Sequence, residues 1–149
     1  MKTFDIPPVW LLLTVLLALA LPQVVPAGLS LKSPVIDLLS AVLLGGGVIL
    51  IAMAVSQMRR MNTTFYPRGE AAQLVTGGVF KWSRNPIYLG YVLILAGVIL
   101  CFDTILSLPL VPIFLWFIEK RFVIPEENAL RKKFRLDFAR YCQKTRRWV

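Results

Sequence analysis

From Val35 to Val55 the chain runs 21 residues with one charged side chain, Asp37, near its start. Wound as a helix, a run of that length crosses the roughly 30 Å hydrocarbon core of a bilayer. Lipid accepts only segments that satisfy their own backbone hydrogen bonds, so an uncharged run of this kind dictates a helix. Such runs recur at Val9–Ala27, interrupted by Pro22, Gln23 and Pro26, at Ile87–Phe102, and at Ile105–Ile118. The fourth extends through Glu119-Lys120-Arg121 to Ile124. Only Asp103 and Thr104 separate the last two runs, which predicts an antiparallel helical hairpin. Pro109 and Pro112 fall inside the fourth run and are expected to bend it, giving one wall of a lateral opening toward lipid. Ala41 and Gly45, four apart and followed by Gly46 and Gly47, would let a neighbouring helix approach closely. The first run has a competing reading as a signal peptide, since Val25-Pro26-Ala27 resembles a small-residue cleavage site. Lys2 followed by Asp5 is a weak start for one, and a retained helix is favoured.

Charge sets the expected orientation. The chain holds 17 Lys and Arg against 8 Asp and Glu, a net charge of +9. In a soluble protein that balance would suggest nucleic acid. Here 57% of residues are hydrophobic, mean hydropathy is +0.69, and the cations gather between and after the apolar runs. That pattern fits the positive-inside bias and attraction to anionic membrane lipid; no nucleic-acid partner is expected. Ser56–Asn85 carries Arg59, Arg60, Arg68, Lys81 and Arg84 against Glu70, and Pro125–Val149 has 8 basic and 3 acidic residues. Both therefore belong on the cytoplasmic side, with both termini, in what is expected to be a bacterial inner membrane. Within the first, Leu74, Val75, Val79, Phe80 and Trp82 surround the turn signal Thr76-Gly77-Gly78. This segment should lie on the membrane surface or fold back under the bundle. In the second, Leu130, Phe134, Phe138 and Tyr141 make an apolar stripe on a basic helix.

The expected fold is thus an all-α integral membrane protein of about four transmembrane helices plus an amphipathic cytoplasmic C-terminal helix. Residues 1–149 form one domain, with two transmembrane helices in 1–61 and the hairpin and basic tail in 62–149. Cys101 and Cys142 fall on opposite sides of the membrane and cannot pair. Histidine is absent, which removes the commonest general base and metal ligand, and no metal is expected. The oligomeric state is not set by any of these features.

Two polar clusters bracket the hairpin on the same side: Arg84-Asn85-Pro86 with Tyr88, and Glu119, Arg121, Glu126 and Glu127. Each has a sufficient structural explanation. Pro86 suits the first position of a helix, and paired glutamates favour a helix start through the dipole. Taken together, "RNPIYLG", an uncharged hairpin, "EENAL", then Phe134, Tyr141 and the closing "RRW" resemble the isoprenylcysteine carboxyl methyltransferase family. That family is similar to the membrane phospholipid methyltransferases. The resemblance spans about Thr63 to Trp148. Its motif reads Arg-His-Pro-x-Tyr-x-Gly, with Asn85 here in place of His. Its tail reads Phe-Gly-x-x-Tyr, with Arg135 and Phe138 here in place of Gly and Tyr.

The resemblance implies S-adenosyl-L-methionine as cofactor and an amphiphilic, lipid-like substrate. By the same resemblance Arg84, Asn85, Pro86, Tyr88, Gly90, Glu126, Glu127 and Tyr141 line the cofactor site. Carboxylates suit ribose hydroxyls, an ammonium or a sulfonium, and Arg84 suits the methionine carboxylate. Arg121 is the candidate for steering the acceptor's negative charge, against a reading as an interfacial snorkelling arginine. A carboxylate acceptor needs no base, so the lack of histidine is compatible with the reaction. Rival readings are a phospholipid amine N-methyltransferase, a nicotinamide-dependent sterol-type reductase, and a non-enzymatic membrane scaffold.

Overall fold

Apolar segments flanked by proline and basic residues become helices in the computed structural model, which describes residues 5–25, 28–63 and 73–149. Pro26 and Ala27 of the cleavage-like site, and loop residues 64–72 with Arg68 and Glu70, lie outside the described residues, as does Lys2. The order is α1 (Pro7–Val24), α2 (Pro34–Arg60), a 3₁₀ turn (Gly78–Lys81), α3 (Pro86–Cys101), a second 3₁₀ turn (Ile105–Ser107), α4 (Leu110–Ile118), a π turn (Glu119–Val123) and α5 (Ile124–Lys144). Every described element is helical. α1 and α2 are long and apolar enough to cross a membrane. α2 is the best specified locally. Ser33 accepts a hydrogen bond from the Ile36 N–H at 3.3 Å, Pro34 opens the first turn, and Asp37 and Arg59-Arg60 oppose the dipole at either end.

α2 and α3 are the most closely packed pair. A Cβ built on Gly47 would lie 2.8 Å from the Gly90 carbonyl oxygen, and one on Gly90 would lie 2.8 Å from the Gly47 oxygen. Gly97 meets Leu44 in the same way. Of the small residues in the second run, Gly47 makes the close approach, whereas Ala41, Gly45 and Gly46 stay exposed. α1 lies across α3 and α4. Trp10 and Phe117 rings meet at 4.7 Å, and the buried Ser107 hydroxyl donates to the Ala18 carbonyl at 2.7 Å.

The connections sort to two ends. At one, Asp103 accepts hydrogen bonds from the Ser30 hydroxyl and the Leu31 N–H, joining the α1–α2 connection to the α3–α4 turn. At the other, Arg121 pairs with Asp5 at 2.8 Å, and the segment before α3 meets the residues after α5. Val75, Val79 and Phe80 fold back under the bundle against Ala54, Phe138 and Tyr141, with Leu130 and Phe134 packed alongside. The expected tail stripe is thereby buried on the loop rather than left free. Trp82 is 76% exposed and takes no part.

The fourth run departs from expectation. Pro109 caps α4 and Pro112 sits in its first turn, where a missing N–H costs nothing, so neither proline bends a span. The irregularity lies further on, in the π turn just before Pro125. Pro125 offers no N–H to the preceding turn and its ring crowds the carbonyl four residues back, and a widened turn relieves both. α5 is broken again at Arg135, whose φ of 39° and ψ of −106° lie where glycine is at ease and a Cβ is not. This is the position at which the resembling motif carries Gly.

Two stability outcomes follow from this packing. Gly90→Ala should cost about 2 kcal/mol, because the obstructing Gly47 atom is backbone and cannot turn aside. Arg135→Gly should raise stability by about 1 kcal/mol by removing a strained dihedral, while Arg135→Ala gives no gain. Thermal unfolding in detergent micelles reads both.

Candidate functional site

The polar end of the bundle is built by three segments: Ser83–Tyr88 leading into α3, the π turn with the first turn of α5, and Thr145–Trp148. Proline at the first position of α3 fixes the direction of that helix, and Asn85 stands at its N-cap. Asn85 does not cap, however. Its side-chain amide donates to the Arg147 carbonyl at 3.2 Å, and the Ser83 hydroxyl donates to the same oxygen at 3.2 Å. The Arg84 N–H donates to the Arg146 carbonyl at 3.1 Å, and the Thr145 hydroxyl to Lys81 at 3.3 Å. The residues following α5 are thus stitched along the entrance to α3 as a strap.

Side chains of the strap then reach into the acidic turn. Arg147 forks onto Glu127, with its Nη2 2.8 Å from one carboxylate oxygen and its Nε 3.2 Å from each, and its Nη1 donates to Glu119 at 2.8 Å. The Trp148 indole N–H donates to the other Glu119 oxygen at 3.0 Å. Arg84 also approaches Glu127, at 3.4 Å. Glu127 is only 5% exposed. A carboxylate at that depth persists only because cations and donors replace its water. Its hydrogen bonds hold the Arg147 guanidinium above its ordinary range. The Arg84 Nε is buried and finds no hydrogen-bond partner among the described residues.

Glu126 behaves differently. It points toward buried Tyr88, whose hydroxyl donates to it, yet burial dominates and pushes its carboxyl up to about 7. Tyr88 stacks near Phe122 with ring centroids 6.4 Å apart. The Tyr141 hydroxyl donates to the Phe80 carbonyl at 2.6 Å and is raised by burial, an effect that Arg84 opposes. The structure therefore gathers Arg84, Asn85, Pro86, Tyr88, Glu126 and Glu127 at one place. Gly90 lies one turn into α3, in the seam with α2. Tyr141 anchors the fold-back loop. Arg121 is held by Asp5, which also accepts from the Trp10 indole at 3.1 Å.

Sequence reasoning gave no role to Arg147 or Trp148, although "RRW" was part of the recognised pattern, and it ranked Glu119 below Glu126 and Glu127. A basic pair in a tail already rich in basic residues carries no signal of its own; the unlike residue, Trp148, was the available clue. Among the described residues no three His, Cys, Asp or Glu side chains are grouped to hold a metal ion. A cavity of about 250 Å³ lined by Pro22, Val25, Gly28, Leu29, Asp103, Ile105 and Leu106 lies at the opposite end of the bundle. Its carboxylate is already engaged by Ser30 and Leu31.

Glu126 gives this end a pH signature. A carboxyl raised from 4.5 to about 7 contributes stability that is full below about pH 4.5 and is lost as pH rises through about 7. Glu126→Gln should flatten that component of the pH dependence, read as the wild-type-minus-variant difference in unfolding temperature from pH 4 to 8. Glu127→Ala should instead cost about 3 kcal/mol near neutral pH, since it strands the Arg84 cation.

No curated protein and no solved structure matches the chain. A family model described as phospholipid methyltransferase matches residues 35–137, which is more than half of the sequence and takes in α2, α3, α4 and the acidic turn. The arrangement of an Arg-Asn-Pro helix entrance against a paired-glutamate helix start lies inside that match, and the chain belongs to the phospholipid methyltransferase family.

Proposed function

We propose that the polar end of the bundle binds S-adenosyl-L-methionine and that the protein transfers its methyl group to an amphiphilic acceptor reaching the site from the bilayer. The observation that carries this reading is a buried guanidinium nitrogen with no partner among the described residues, set beside a cluster of carboxylates. Arg84 Nε lacks an acceptor among the described residues, while Glu119, Glu126 and Glu127 gather within about two helical turns. The cofactor has the complementary charges, a carboxylate at one point and two cations, the ammonium and the sulfonium, at others. Arg84 would take its carboxylate and Glu127 and Glu119 its positive charge, with Tyr88 and Asn85 at the helix entrance beside them. When bound, the cofactor supplies a methyl whose bond to sulfur breaks as the acceptor's electron pair forms the new bond, leaving a neutral thioether.

The chain's own task is then alignment and exclusion of water, which supply much of the rate in such a displacement. Buried Pro86, Tyr88 and Phe122 wall the polar groups from the bilayer side. Arg121, half exposed beside Asp5, stands where it would meet the charged head of a lipid at the membrane surface. In this reading residues 1–149 act as one membrane domain of four crossings. The polar end, both termini and the basic face of α5 are cytoplasmic, in keeping with the positive-inside bias and a bacterial inner membrane.

For the acceptor, a carboxylate of the isoprenylcysteine type asks for no base. A phospholipid amine is the second reading. It is favoured by the family match and by Glu126, a carboxyl titrating near neutral pH that is suited to take the proton an ammonium must lose.

Two measurements test this. Calorimetric titration of the purified protein with S-adenosylhomocysteine should give micromolar binding, weakened by about tenfold or more in Glu127→Gln and in Arg84→Gln. No binding in detergent or in lipid would return the scaffold and reductase readings. With labelled methyl donor and membrane lipid, label released by mild base as methanol marks a carboxyl ester, and base-stable label marks a methylated amine.

A further inference from the structure

Arg147 already occupies the charges that a cationic cofactor would need. Its guanidinium holds both oxygens of Glu127 and one of Glu119, and Trp148 holds the remaining Glu119 oxygen. No carboxylate of that pair is left to meet a sulfonium or an ammonium. The strap bearing Arg147 is unlike the helices around it. Between Thr145 and Arg147 its backbone is attached to the α3 entrance by single hydrogen bonds, at 3.1 to 3.3 Å, from Thr145, Ser83, Asn85 and the Arg84 amide, while Trp148 packs its ring against the core at the strap's end. The Arg147 side chain is 33% exposed, so its fork can exchange for water without unpacking the core. The bundle beneath is secured separately, through the α2–α3 seam and the loop fold-back.

We propose that Arg147 is an internal competitor for the cofactor's positive charge, and that the Thr145–Trp148 strap is a latch that must release from Glu127 and Glu119 for the donor to bind. This deepens the proposed function and rests on it. A guanidinium and a sulfonium cannot share the same two carboxylates without like-charge repulsion, so the methyl donor binds only with the latch displaced. After transfer the sulfur is neutral and only the ammonium remains cationic, so the product competes less strongly and Arg147 can return toward the carboxylates while the product is still present. The residue thereby sets how strongly the site distinguishes the two ligands, penalising the donor more than the thioether product. Arg84 keeps its place under Glu127 in both states, and so an open latch does not strand that carboxylate.

The test uses the full-length protein in lipid nanodiscs, with S-adenosylmethionine and S-adenosylhomocysteine as probes. Arg147→Gln should bind the donor roughly fivefold more tightly, as expected for loss of a partly exposed charged competitor, with a smaller gain for the product. Trp148→Phe, which loosens the strap without touching Arg147, should shift donor affinity in the same direction by less. Hydrogen exchange supplies a readout that a structural strut would not give: saturating donor should speed exchange at the Arg84 amide, which is bonded to the Arg146 carbonyl in the latched form. Donor binding with that amide equally or more protected, together with weaker binding by Arg147→Gln, overturns the latch while leaving the cofactor site standing. Binding absent from the wild type and from both variants overturns the cofactor reading itself, and the latch with it.

Discussion

The Glu127 carboxylate is the point on which the polar end of this molecule turns. Buried at the first turn of α5, it would cost several kcal/mol if left alone. Two guanidiniums from distant parts of the chain compensate it, Arg84 ahead of α3 and Arg147 beyond α5. That single requirement draws the loop, the helix start and the strap to one place. The strap's backbone then satisfies Ser83 and Asn85, which leaves Asn85 unable to cap α3. Apolar packing backs the same junction, since Tyr88, Phe122 and Val123 share one core cluster and Trp148 packs against it, so removing the carboxylate would loosen the polar contacts while leaving that packing in place.

Placement of that carboxylate depends on an irregular backbone. A continuous α-helix from Leu110 onward would leave Glu119, Glu126 and Glu127 in the ordinary register of a 3.6-residue turn. The π turn at Glu119–Val123 shifts that register, so that Glu119 faces Arg147 and Trp148 while Arg121 faces Asp5. Pro125 supplies the local cause. π turns gather at functional sites because they redirect side chains without breaking a helix. Here one of them hands neighbouring charges to two different partners, one at the strap and one at the start of α1. The break at Arg135 does the opposite work. It turns the second half of α5 so that Phe138 and Tyr141 close over Phe80.

Helix existence was legible from the chain alone, since uncharged runs bounded by proline and arginine leave the backbone little choice; α1, α2 and α3 fall within a few residues of the expected runs. The membership of the site was partly legible. Arg84, Asn85, Pro86, Tyr88, Glu126 and Glu127 stand together as the motif implied, whereas Gly90 serves the α2–α3 seam, where Gly47 faces it. The prolines of the fourth run misled because composition counts a proline as a kink wherever it falls. Whether it sits in a first turn or mid-helix depends on where the helix begins, and a hydrophobic run with no charges does not mark that boundary.

What the sequence by itself determined is an all-helical chain with its cations gathered between and after the apolar runs and two polar motifs bracketing a hairpin, because hydropathy and charge act locally and leave their pattern in order along the chain. What only the tertiary structure decided is which charge meets which. Arg147 is one of 17 Lys and Arg residues, and nothing in its neighbours separates it from Arg146. Its role arises because the strap crosses the entrance of α3 at the height of Glu127, which sets a guanidinium against two carboxylates twenty and twenty-eight residues away. Coulomb attraction at that range depends on three-dimensional distance and on burial, and neither is written in the order of the residues.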